Sequence, residues 1–146
     1  MPRPGFVLDV DRSTPPTLFW HGEGFSLERL PVGSRIIYPP EALKPLEDPD
    51  DAIRRALLEP LGSEPLPALL KPGMKLTIAF DDVSLPLPPM RQPDNRQRVI
   101  EAVLDMAAAA GVDDVQLIAA LALHRRMTEA ELRHALGDRV YDAFAP

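Results

Sequence analysis

Three observations predict an α/β fold for this chain of 146 residues. Two short runs rich in β-formers, Lys75 to Phe80 (KLTIAF) and Val115 to Ala120 (VQLIAA), flank a segment long enough for a helix. That segment, Asp94 to Ala110, carries Val99, Ile100, Val103, Leu104, Ala107 and Ala110 on one helical face. The 18 prolines crowd into residues 2–16, 31–72 and 86–93 and then stop until Pro146. Strand, helix and strand with this connection make a βαβ unit, whose strands run parallel with a right-handed crossover. The proline-laden first half predicts short elements on stiff connections.

Each element has its own grounds. Residues 17–30 (TLFWHGEGFSLERL) read as two strands around a Gly-Glu-Gly turn, and 34–38 as one more short extended piece. In LEDPDDAIRRALLEPLG, Asp48 can cap a helix and Pro49 suits its first position. Asp50 and Asp51 favour its positive end, Ile53, Ala56 and Leu57 give an apolar stripe, and Pro60 and Gly62 end it. Pro65 to Leu70 fit one further helical turn before the Pro72-Gly73 break. Gly111 is placed to close the helix that begins at Asp94. The apolar run VQLIAALAL predicts a parallel strand covered on both faces. Thr128 and Glu131 have capping-box spacing and open a helix through about Leu136, which Gly137 closes. Asp138 to Phe144 fit a last short helix. The expected whole is a Rossmann-like βαβ sheet with a small N-terminal β-hairpin region, and with two parallel strands it reads as an incomplete domain. The division expected is a hairpin and helical segment over 17–72, and a βαβ core with C-terminal helices over 73–146.

Composition excludes several classes of function. Apolar residues are 45% and charged residues 26%, which is globular rather than disordered. The net charge of −6, with no basic run interleaved with aromatics, argues against nucleic acid. No stretch reaches the roughly 20 apolar residues of a membrane span. The start, MPRPGFVLDVDR, lacks the apolar core of a secretion signal, so the cytoplasm is the expected location. Without cysteine there is no disulfide, thiolate nucleophile or Cys-based zinc site. Three histidines, at 21, 124 and 134, do not spell a zinc site either. No GxGxxG, Walker, HExxH or GxSxG motif occurs.

Two polar clusters directly follow the core strands: Asp81-Asp82-Val83-Ser84 and His124-Arg125-Arg126 with Thr128. Ligands of open α/β sheets collect outside the carboxyl ends of the strands. Parallel strands put both clusters at that edge, so residues about 40 apart in sequence are expected to meet there. The residue types suit acid–base work on an anion. His124 can take or give a proton, and Asp81 or Asp82 can orient a base or anchor a cofactor group. Arg125, Arg126 or Arg91 can hold a carboxylate or phosphate. Ser84 and the Thr128 helix start offer donors to an anion.

Plainer readings compete with each. A strand-end Asp is often a turn or cap residue, a loop His is often a surface residue, and adjacent arginines are often solvated. His134, among Glu131, Arg133 and Asp138, reads as part of a solvated face, and His21 as a hairpin residue. Pro86 to Met90 reads as a stiff loop framing a pocket or as a partner-binding segment.

Taken in order, EDPDDAIRRALLEPLGSEPL, KLTIAFDDVSLPLP and AAAAGVDDVQLIAALALHRRMTEAELRHALG resemble the N-terminal part of nickel-pincer lactate racemase and its relatives, over roughly residues 17–145. That family shows an Asp-x-Thr-Arg-Pro-x-Pro stretch after a strand, then a Gly-Thr-His-Arg-Pro-like stretch before a Thr-x-x-Glu-Leu helix. The resemblance implies an isomerase that racemises or epimerises 2-hydroxy acids by moving a hydride onto a nickel-pincer nucleotide and back. It makes His124 the catalytic histidine and Asp82 the motif aspartate. Ser84 falls on the motif threonine, Pro86 on its proline and Arg125 on the arginine after the histidine. Asp82 and Ser84 are thus the expected cofactor-binding residues, Arg125 and Arg126 the substrate-binding ones, and no residue is assigned to a metal. Leu85 stands where the family has arginine, which removes a cation and implies a changed substrate. The resemblance also implies that the family's cofactor-bearing Lys and further His residues lie outside this stretch. The chain by itself is then expected to be inactive and to self-associate through uncovered apolar surface. The competing functions are a non-catalytic module that binds a small anion, a nucleotide or a partner, and a purely structural role.

Overall fold

In the computed structural model, residues 7–83 and 90–145 are described. Ser84, Leu85 and Pro86, together with the other residues of 84–89, lie outside them. The chain forms two compact units, residues 1–45 and 46–146.

The first unit is built from two antiparallel strand pairs. Strands β1 (Val7–Asp9) and β4 (Arg35–Ile37) pair with Leu8 opposite Ile36. Strands β2 (Thr17–His21) and β3 (Gly24–Glu28) form the expected hairpin, with His21 opposite Gly24 across the Gly22-Glu23 turn. Gly22 takes φ 62, a value that a two-residue turn demands and glycine adopts freely. Burial is slight: Val10 is buried, while Leu18, Trp20, Phe25 and Leu27 lie exposed along one face of the hairpin.

The second unit carries the main core. Helix α1 (Pro49–Leu58) starts as expected, with the Asp48 carboxylate accepting from the Asp51 N–H at 2.9 Å. A single turn, α2 (Leu66–Leu69), follows. Strands β5 (Lys75–Asp81) and β6 (Asp114–Ala120) are parallel, and Asp81 is opposite Ala120. Between them runs α3 (Asn95–Ala109). Helix α4 (Glu129–Phe144) carries the complete Thr128–Glu131 capping box and breaks at Gly137 (φ 73, ψ 157). The helical backbone is interrupted at Gly137, as read from the sequence, with one helical stretch on either side of it. The helices α1 and α2 contact α3, which places the helical stretch 49–69 in the same unit as the βαβ core.

Phe80, Ile100, Leu136 and Val140 form one buried cluster, and Leu70, Ala107 and Val112 form another. Both draw on α3 and on one face of the sheet. Along β5 and β6 burial alternates, so Thr77, Ala79, Gln116 and Ile118 are exposed. This corrects the expectation of two covered faces. The apolar run 115–123 suited a fully buried strand, but α3 and α4 both draw on the Ile78, Phe80, Leu117 and Ala119 side. Val99 also departs from the expected helix stripe: it is exposed, whereas Ile100 and Ala107 are buried.

Candidate functional site

The parallel register sets the two strand-end clusters side by side. β5 ends at Asp81 and β6 at Ala120, directly opposite each other. One residue beyond β5, the Asp82 carboxylate turns toward the sheet edge and is 7% exposed. Beyond β6 the chain reverses at residues 121–124, closed by the His124 N–H donating to the Leu121 carbonyl at 2.8 Å. Ala122 takes φ 48 in this turn, a left-handed conformation costly for a residue with a Cβ. The turn delivers His124 to Asp82. Its Nδ1 lies 3.0 Å from Oδ2 and 3.2 Å from Oδ1, while the side chain remains 43% exposed. The imidazole is thus gripped on one nitrogen by a nearly buried carboxylate and open to solvent elsewhere.

The other sequence-derived candidates divide. Arg125 makes a two-pronged ion pair with Glu131, Nη2 to Oε1 at 2.6 Å and Nη1 to Oε2 at 2.9 Å. Glu131 also accepts from the Thr128 N–H at 2.7 Å. Arg125 thereby extends the capping box of α4 and fixes the loop that carries His124. Its hydrogen bonds, then the Thr128 N–H, hold the Glu131 carboxyl down at about 2. Arg126 and Arg91 are exposed. Ser84 is outside the described residues. Asp81 is exposed, with its carboxylate 3.7 Å from Arg96. His134 is half-buried at the surface, and its Nε2 lies 2.8 Å from the Met90 carbonyl, a contact that ties α4 to the segment before α3.

Sequence reasoning missed Asp94 and Arg96. Asp94 was read only as a helix start, yet it is fully buried and paired with Arg96. Arg96 also donates to the carbonyls at the end of β5. A signal was present: a cation in the first helical turn opposes the helix dipole and needs a local reason.

Among the described residues no group of three or more His, Cys, Asp or Glu could hold a metal ion. A cleft of about 670 Å³ opens between α1 and α3. Its walls include Asp48, Asp50, Asp51, Glu101 and Asp105 beside Arg54 and Arg98, an acidic excess, and Arg98 is paired with Asp50 at 2.6 Å. The Asp82–His124 contact lies at the sheet edge, outside this cleft.

A parallel strand pair joined through a helix defines an α/β protein, with the Asp82–His124 contact at the carboxyl ends of its strands. Residues 24–145 match the model of the lactate racemase N-terminal domain, and the chain belongs to that family. No curated protein matches the chain. No helix among the described residues is long and apolar enough to cross a membrane.

Proposed function

We propose that this chain supplies a proton-handling edge of a lactate-racemase-like isomerase site for 2-hydroxy acids. One observation carries the reading: the 3.0 Å contact between Asp82 and His124 at the shared end of β5 and β6. An ionised carboxylate only accepts, so the neutral ring donates from Nδ1 and keeps a lone pair on Nε2. Nε2 is then the atom that takes a proton from a substrate hydroxyl and later returns it. Asp82 stabilises the imidazolium formed in between. Family membership supports lactate and its homologues as the substrate class. Their carboxylate requires a cation. Arg125 is committed to Glu131, which leaves Arg126 as the first choice, with Ser84 as a further donor.

The family resemblance implies a nickel-pincer nucleotide for the carbon–hydrogen step. Among the described residues no group of three or more His, Cys, Asp or Glu fits the metal. Of the three histidines, His21 belongs to the hairpin and His134 to the Met90 tether, so one imidazole serves the mouth. Neither an imidazole nor a carboxylate accepts a hydride, so an Asp–His pair by itself does not invert the stereocentre. The chain supplied with L-lactate alone is accordingly expected to leave it unracemised, and turnover would contradict this reading.

The direct test is titration of lactate and longer 2-hydroxy acids into the full chain, followed through the ring nitrogens of His124. A saturable shift, lost in His124→Ala and weakened in Arg126→Gln, is the expected result. A response to mononucleotides and to no 2-hydroxy acid would instead favour a non-catalytic binding module, as Leu85 in place of the family arginine suggests. Silence toward both classes would leave the structural role.

A further inference from the structure

Asp82 can orient His124 only if the end of β5 is itself held, and one guanidinium does this. Arg96 lies in the first turn of α3 with its side chain 10% exposed. Its Nε and Nη2 donate to Oδ1 and Oδ2 of Asp94 at 2.9 and 2.7 Å. Its Nη1 points the other way and donates to the carbonyls of Asp82 at 3.2 Å and Asp81 at 3.4 Å. Asp94 is fully buried and also caps α3, accepting the Arg96 N–H at 2.8 Å. Burial pushes the Asp94 carboxyl up, but the Arg96 hydrogen bonds outweigh this and leave it below the usual carboxylate range.

A helix start needs the cap, not the arginine. Capping calls only for a short acceptor at this position, and a cation in the first turn opposes the dipole. A buried ion pair is also a poor device for stability, since apolar residues often do as well. What Arg96 adds is the link to two backbone carbonyls, both at the mouth of the candidate site. We infer that Asp94 and Arg96 are a positioning pair for that site, clamping the Asp81-Asp82 backbone to α3 so that the Asp82 carboxylate meets His124 Nδ1. They touch no reacting group and act through Asp82. The inference rests on the reading of Asp82 and His124 as a working pair.

The test reads the neutral tautomer of His124 from its ring ¹⁵N–¹H correlations in the full chain. Asp82→Asn sets the pattern of an unsupported ring. Arg96→Lys keeps the charge facing Asp94 but cannot fork to both carboxylate oxygens and the two carbonyls. The double variant Asp94→Asn/Arg96→Gln leaves no buried charge alone, so a folded protein is available if one variant fails. Ile100→Val loosens the same helix without touching the pair. Expected is a fall of about tenfold in the ratio of Nδ1–H to Nε2–H, on the scale of one lost charge-assisted hydrogen bond, in either Arg96 variant. The Ile100→Val protein keeps the wild-type ratio. Wild-type ratios in the folded Arg96 variants would overturn the inference while leaving the Asp82–His124 pair intact. A wild-type ratio in Asp82→Asn would overturn the pair itself, and the inference with it.

Discussion

Ala122 adopts φ 48 two residues after the end of β6, where L-residues other than Asn and Asp seldom settle. The strain is the consequence of bringing His124 back over β5 within a tight turn. Glycine adopts this conformation freely. Ala122→Gly should therefore stabilise the chain by about 1 kcal/mol, or ~3 °C in melting temperature. A thermal melt checks this, and a loss of stability would show that the turn is unstrained. The meeting of Asp82 and His124 was legible in the sequence, because parallel strands force their trailing residues to one edge. Arg96 was not. Its partners include two backbone carbonyls, 14 and 15 residues away, and a carbonyl has no sequence signature. Arg125 was legible as a residue at the site but not as a partner of Glu131, since an exposed arginine can serve a ligand or a cap equally well.

At the level of elements, two devices in α4 set where the site loop ends and how the helix packs. The first is the capping box with Arg125 added. Glu131 is held well below its ordinary value of 4.5, so this contribution is complete above that value and is lost as pH falls through about 2. An NMR titration of the Glu131 side chain should place its midpoint near there, and Arg125→Gln should move it upward. A midpoint unmoved by Arg125→Gln would assign the depression to Thr128 alone. Thr128→Ala should cost about 1 kcal/mol in denaturant unfolding. The second device is the Gly137 kink. A Cβ built there would fall 2.4 Å from the Gln97 side-chain amide, at φ 73. Gly137→Ala should destabilise by about 2 kcal/mol, from backbone strain and the clash together. Gln97→Ala should recover only the steric part, which a double-mutant cycle measures. Sequence reading found the break because glycine marks it, and could not find Gln97, whose side chain reaches the gap from another helix. It also passed over β1, a three-residue strand whose partner lies 28 residues on, too short for any period to register.

Across the whole chain, packing is uneven. The first unit has Val10 as its buried apolar residue, while the second buries two clusters drawn from its strands and helices. Local opening follows burial and contact density. Amide hydrogen exchange should be fast in β1 to β4 and slow in β5, β6 and the middle of α3. Equal protection in both would contradict the described burial. The candidate site lies on the better-packed unit, at the end of its two parallel strands, where rigid elements can hold the proposed Asp82–His124 pair in a fixed geometry.

The proposed proton-handling edge depends on the state of one ring. At a pH where His124 is neutral, its nitrogen spectrum in the unligated chain should show the proton on Nδ1 and the lone pair on Nε2. A ring protonated on Nε2, with Nδ1 bare, would mean that Asp82 does not hold it and that the proton-handling edge is not there.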